Sequence, residues 1–377
     1  MKQRVLCVIV LIIILFTPCF AYADVMNDLE DNVQEGLDNI DFSKVDEVTD
    51  SFFGSVVEKV KSIINGEFDS AESFWQVIGS LFGEGIKDLL PELISIFVVL
   101  VILGLIRKTG GGLISDSTDS VVSFVGVTVV LLAVLSMIVD CYKQVYQMLS
   151  NVSALSEVSM PILLTLLIAN GGNMVSSVCQ PSMVIFSSGV IEIIRNVVLP
   201  LSIFALVFSV VSNISSNVRV SKASSFLNNI SSWILGIVFM LFSAFTSVQG
   251  ISAASIDGVS YRAAKFATKS YIPILGGYLA DGFDIVVAST SLIKNAFGAV
   301  TMLSLLFTII KPLVAILCVN LGLQAVAAIS EPIVDDKYVK ILGGMSKTLT
   351  FLAVLILAVA FMFCILTLIA ICCANGV

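Results

Sequence analysis

Arg262, Lys265 and Lys269 stand at i, i+3 and i+7, a spacing that puts three cations on one face of a helix. Ala263, Ala264, Phe266 and Ala267 fall elsewhere on the same helix. Asp281 and Asp284 lie near enough in sequence to supply counter-charge, and Lys294 follows inside the apolar run 292–298. Such a set can bind, neutralise or pass charged groups, but it has no ready general base. The chain contains no histidine, which removes the commonest proton shuttle and the commonest zinc ligand together.

Other chemistry fares no better. There are 8 cysteines but no CxxC, and Cys318 and Cys364 fall within apolar runs while Cys7 and Cys19 lie near the start, so neither a metal site nor a disulfide scaffold is indicated. Cys372 and Cys373 close the last apolar run, where packing as small apolar residues is the expected role and lipidation the alternative. Gly110-Gly111-Gly112 lacks the Gly-Lys-Ser/Thr ending of a phosphate loop. No catalytic, cofactor-binding or metal-ligating residue is assigned, and an enzyme is not expected.

The remaining charges in apolar surroundings are Glu192 and Arg195, at i, i+3. A charge at the centre of a bilayer costs about 2.5 kcal/mol or more, so an internal ion pair is expected of these two. For Lys294, snorkelling toward an interface and a place on a pathway are equally compatible with its setting.

The elements that must position these residues follow from composition. Of 377 residues, 57% are apolar and 13% charged, about half the charged share of an ordinary soluble domain, and the mean hydropathy is +1.03. An all-α, polytopic membrane protein is the fold class this predicts. Charge is unevenly spread: residues 24–92 hold 17 acidic against 4 basic side chains, a net −13, whereas residues 93–377 hold 11 against 14. An acidic ectodomain joined to a slightly basic membrane body is implied, with the lipid bilayer as a partner and no nucleic acid.

Lys2 and Arg4, the apolar run 5–16 and the small-residue pattern Ala21-Tyr22-Ala23 read as a signal peptide over residues 1–23, cleaved after Ala23. Residues 24–88 show helical apolar spacing and form an acidic, helical, extracytoplasmic region, and residues 89–377 form the transmembrane domain. The first span, 91–106, ends in Arg107-Lys108 and so enters the cytoplasm. Span 121–139 returns outside. Interrupted stretches follow at 160–194 and 272–297, with further spans at 197–211, 230–248, 301–328 and 349–371. The basic helix around Lys265 falls outside on this count, against the positive-inside tendency, unless it lies in a protein-lined vestibule.

The two halves resemble each other. Pro161 and Pro200 recur as Pro273 and Pro312, 112 residues on, and Ala169-Asn170-Gly171 has its counterpart in Ala280-Asp281-Gly282. Repeats of about 119–226 and 231–338 are expected, followed by the last span, 349–371. Pro161, Gly171, Gly172, Pro273, Gly276, Gly277 and Gly282 are the candidate backbone breaks. Non-helical backbone at membrane depth is tolerated only inside protein or beside water, so matched breaks point to a translocation path. Kinked, closely packed helices are the alternative.

The block from Asp257-Gly258-Val259-Ser260-Tyr261-Arg262 through Ala263-Ala264-Lys265-Phe266, with Tyr271-Ile272-Pro273-Ile274-Leu275-Gly276-Gly277 and Leu292-Ile293-Lys294-Asn295-Ala296-Phe297-Gly298, resembles the stage III sporulation protein AE family of endospore-forming Firmicutes. The resemblance runs over nearly the whole chain. It implies a multi-pass protein of the mother-cell membrane surrounding the forespore. It also implies, as partners, the other proteins of the stage III sporulation A complex and a forespore-side protein, forming a secretion-like channel needed after engulfment. It carries over no catalytic residue. A self-sufficient secondary transporter and a non-transporting scaffold are the other readings.

Overall fold

Hydrocarbon offers a peptide group no hydrogen-bond partner, so apolar runs of this length must bond their own N–H and C=O groups along helices. The computed structural model describes residues 60, 70–110, 116–170, 176–177, 185–214, 221–271 and 276–372, and among them there is no strand. In chain order the long helices are α1 (Ser70–Gly110), α2 (Asp116–Ala169), α3 (Leu199–Ile214), α4 (Ser221–Tyr271), α5 (Gly276–Ser330) and α6 (Asp336–Cys372). Two π-helical stretches, Ile185–Val190 and Ile194–Val198, lead into α3 around the single turn Ile191–Ile193. Among the described residues six helices are long and apolar enough to cross a membrane: this is a multi-pass architecture. The signal peptide and nearly all of the acidic region before Ser70 lie outside the described residues. From that region only Val60 is described, fully buried in the core.

The helices are fewer and longer than the spans read from sequence. The boundary expected at 88/89 falls inside α1, which continues through Pro91 to Gly110. Residues 276–297 and the stretch 301–328, expected to be separate, belong to one 55-residue helix, α5, which carries Pro312 in its interior. Proline removes one helical N–H and crowds the preceding turn, but in a helix clasped on several sides the neighbours hold the line that the proline alone would bend. α5 packs on α6 most extensively and also on α2, α1 and α4, while α6 touches α2, α3 and α4 as well. These two helices are therefore the axis of the molecule.

Their register is fixed by small and polar residues. Gly298 of α5 lies against Ile371 of α6, and Asn320 bonds Ser346 and Thr350, so the pair runs antiparallel. Close approach elsewhere also depends on glycine. A Cβ at Gly104 of α1 would fall 2.5 Å from the carbonyl oxygen of Ile333 in the α5–α6 connection, and one at Gly344 of α6 would fall 2.7 Å from Ser209 Oγ of α3. Without a hydrophobic drive between helices in lipid, such small-residue contacts carry much of the association.

Candidate functional site

Lys294 is the residue on which sequence and structure meet. It lies on α5 with no solvent exposure, beside buried Ile293, Phe297 and Ser289, and it is not left unpartnered. Snorkelling is thereby set aside, because its stem and ammonium are enclosed by protein. A buried ammonium persists only where its desolvation is offset by nearby dipoles or charge. One turn before Gly298, it stands level with the C-terminal end of α6.

Arg262, Lys265 and Lys269 fall on the last turns of α4, and Asp281 and Asp284 on the first turns of α5. The segments are helical, as the i, i+3, i+7 spacing requires, while these five side chains lie outside the described set. Gly171, Gly172 and Pro273 lie outside the described residues altogether. The other candidate breaks lie within or at the start of helices. Pro161 is exposed and sits inside α2, which runs on to Ala169. The carbonyl its missing N–H would have bonded belongs to Glu157, also exposed, so water can take that bond and the helix need not stop. Gly276, Gly277 and Gly282 belong to the continuous α5, whose start is at Gly276.

The expected Glu192–Arg195 ion pair does not form. Asn196 Nδ2 donates to Glu192 Oε1, and the Arg195 guanidinium lies over the Tyr146 ring of α2, 4.5 Å from its centroid. The reason is local backbone geometry. Arg195 belongs to the π-helical stretch Ile194–Val198, whose wider turn carries side chains out of the α-helical i, i+3 alignment on which the expectation rested. Phe186, in the other π stretch, is fully buried between Phe242 of α4 and Phe363 of α6, with ring centroids 5.5 Å and 5.9 Å away.

A polar cluster between α5 and α6 escaped the sequence reading. Asn320 Nδ2 donates to Thr350 Oγ1 at 3.1 Å, Gln324 Nε2 donates to Asn320 Oδ1 at 3.0 Å and to Ser346 Oγ at 2.9 Å, and Ser346 Oγ donates to Asn320 Oδ1. Its signal was available: two amides and two hydroxyls, each pair at i, i+4, in otherwise apolar spans. The arrangement locks two helices and offers no nucleophile with an adjacent base. Among the described residues no three cysteine, aspartate or glutamate side chains converge to hold a metal.

A family model described as stage III sporulation protein AE matches residues 54–376. The Stage III sporulation protein AE of Bacillus subtilis (strain 168) is 28% identical over 319 residues, covering 82% of this chain and 77% of the relative. No solved structure matches.

Proposed function

The chain belongs to the stage III sporulation protein AE family, and on that premise we propose that it is a non-enzymatic, membrane-embedded subunit of a transport complex between mother cell and forespore, needed after engulfment. The coarser statement, a sporulation protein with multiple membrane-spanning helices, needs no proposal. The observation that carries the finer one is Lys294, a fully buried cation in the central helix α5. A charge is costly to keep inside an apolar body, and a purely structural helix gains nothing from it that leucine would not supply. The basic face Arg262, Lys265 and Lys269, with Asp281 and Asp284, precedes it along the chain and completes a polar series suited to a path or a docking site. Its partners in this reading are the other proteins of the stage III sporulation A complex and a forespore-side protein, and the mature N-terminus is extracytoplasmic.

Lys265→Glu and Lys294→Glu are expected to stop sporulation after engulfment while the protein accumulates to its usual level. Lys294→Met distinguishes loss of charge from introduction of a buried carboxylate. Normal spores from all three would end the assignment of these residues. Cysteine scanning of residues 157–173 and 269–285 with a membrane-impermeant thiol reagent separates conduit from scaffold. Periodic labelling deep into both segments is expected, and uniform protection would favour the scaffold.

A further inference from the structure

Between Asp140 and Glu157 the outward face of α2 is polar while its inward face stays in the apolar core. Asp140, Lys143, Gln147, Ser150, Asn151 and Glu157 are all exposed, and their spacing keeps them within about 120° of the helix circumference. Val145, Leu149, Val152 and Leu155 on the other side are buried. Asp140 and Lys143 form a 3.0 Å ion pair whose side chains are 63% and 68% exposed, and Glu157 accepts a bond from Ser153 Oγ at 3.1 Å. Tyr146, the large aromatic exposed on this stretch, carries the Arg195 guanidinium on its ring. The polar face therefore continues onto the π-helical stretch through Glu192 and Asn196, which are exposed and bonded to each other.

At the same height the neighbouring helices present the opposite surface. Ser202 of α3 meets Tyr142 at 2.9 Å, and Ile203 and Phe204, directly after it, are exposed, level with Asp140 and Lys143. Ser224 of α4 donates to the Ala205 carbonyl at 2.7 Å. α3 runs against α2, because Arg195 reaches Tyr146, and α4 runs with α2, because Phe186, further back than Arg195, packs on Phe242. At about 1.5 Å per residue, Trp233 is then level with about residue 148 of α2 and Leu241 with about residue 156. Trp233, Ile237, Met240 and Leu241 are exposed, no charged residue occurs from Ala223 to Ser247, and the Ser232 hydroxyl donates to the Asn228 carbonyl of its own helix. Ile193 and Val197, exposed beside Glu192 and Asn196, mark the seam between the two flanks.

Hydrocarbon does not receive an exposed ion pair and a further carboxylate, and a protein covering them would have to desolvate all three charges and replace every bond that water gives them. Uncharged aromatic and aliphatic side chains are what lipid receives. We infer that water covers the outward face of α2 from Asp140 to Glu157 while lipid covers the α3–α4 flank at the same height, so that the bundle meets two solvents side by side. The aqueous face is also where a transported solute passes; that second statement rests on the transport reading above, and the first does not. A wall bearing both signs of charge, amides and hydroxyls suits a hydrated polar solute.

The test uses the full chain in membranes of sporulating cells, sheared open so that reagents reach both sides, with native cysteines replaced. Gln147→Cys, Asn151→Cys, Ile237→Cys and Leu241→Cys are each treated with a charged maleimide and, separately, with a hydrophobic carbene-generating photoreagent dissolved in the bilayer. Residues 147 and 151 should take the maleimide about tenfold faster than 237 and 241, and the photolabel should concentrate on α4. Equal maleimide rates at the two pairs, or photolabel as dense on α2 as on α4, would overturn the inference. Silence of 147 and 151 toward both reagents would overturn it as well, since protein would then cover them. Asn151→Trp should lower spore yield severalfold at unchanged protein level, and Leu241→Trp should not; normal spores from Asn151→Trp would overturn the passage of solute along this face. Normal sporulation of Lys294→Glu would count against the transport reading alone and leave the labelling pattern as it is.

Discussion

α1 and α6 are both strongly apolar, yet 17% of the most apolar stretch of α1 is buried inside the protein against 61% of that of α6. α1 turns Ile94, Val98 and Ile102 outward, whereas in α6 Leu349, Leu352, Ile356, Val359 and Phe363 are all fully buried. Hydropathy reports how badly a segment fits water. It does not report whether lipid or other protein takes the segment up, and the two outcomes differ in everything a mutation would reveal.

The comparison is broken most directly by cutting equal amounts of side chain from each helix. Phe363→Ala removes an aromatic ring packed edge-on against Phe186 and should cost about 3–5 kcal/mol, read by unfolding in mixed micelles. Ile94→Ala or Ile102→Ala, on the outer face of α1, should stay within about 0.5 kcal/mol. Equal losses at both helices would mean that α1 is covered by protein as fully as α6. Next in size is Gly104→Val, which forces a side chain into the α5–α6 connection and should cost about 1–3 kcal/mol. It would sharpen the contrast by showing that α1 is fixed through one close backbone approach instead of a broad buried face.

Smaller effects probe how the axis is held. A double-mutant cycle of Asn320→Ala with Ser346→Ala should give a coupling of about 0.6 kcal/mol and no more than about 1.7. A coupling of zero would reduce the cluster to incidental polarity. Tyr142→Phe removes the 2.9 Å contact between the Tyr142 hydroxyl and Ser202 Oγ, but Ser202 keeps its bond to the Leu199 carbonyl. The expected loss is about 0.5 kcal/mol, the smallest of the set.

The sequence announced the helices and several of their edges because periodicity and charge speak directly to them. The span read at 121–139 stops short, since α2 runs on to Ala169, but the i, i+3, i+7 cations do lie on a helix. Proline and glycine were weaker guides. Pro161 and Gly282 looked like breaks, yet helices run through both. The π-helical turns before α3 left no mark in residue type, and with them the alignment of Arg195 on Tyr146 was hidden. The burial of Lys294 was open to two readings because a lysine in an apolar run looks the same whether its surroundings are lipid or protein.

The continuity of α5 through Pro312 has a mechanical consequence. Fifty-five residues of α-helix make a rod roughly 80 Å long. A tilt of about 5° at one end displaces the other by roughly 7 Å, more than one helical turn. Because α6 is stitched to it at Gly298 and again at Asn320 and Gln324, the pair moves as a braced lever, and a modest push on its Ser330 end becomes a stroke of several ångströms at the level of Lys294.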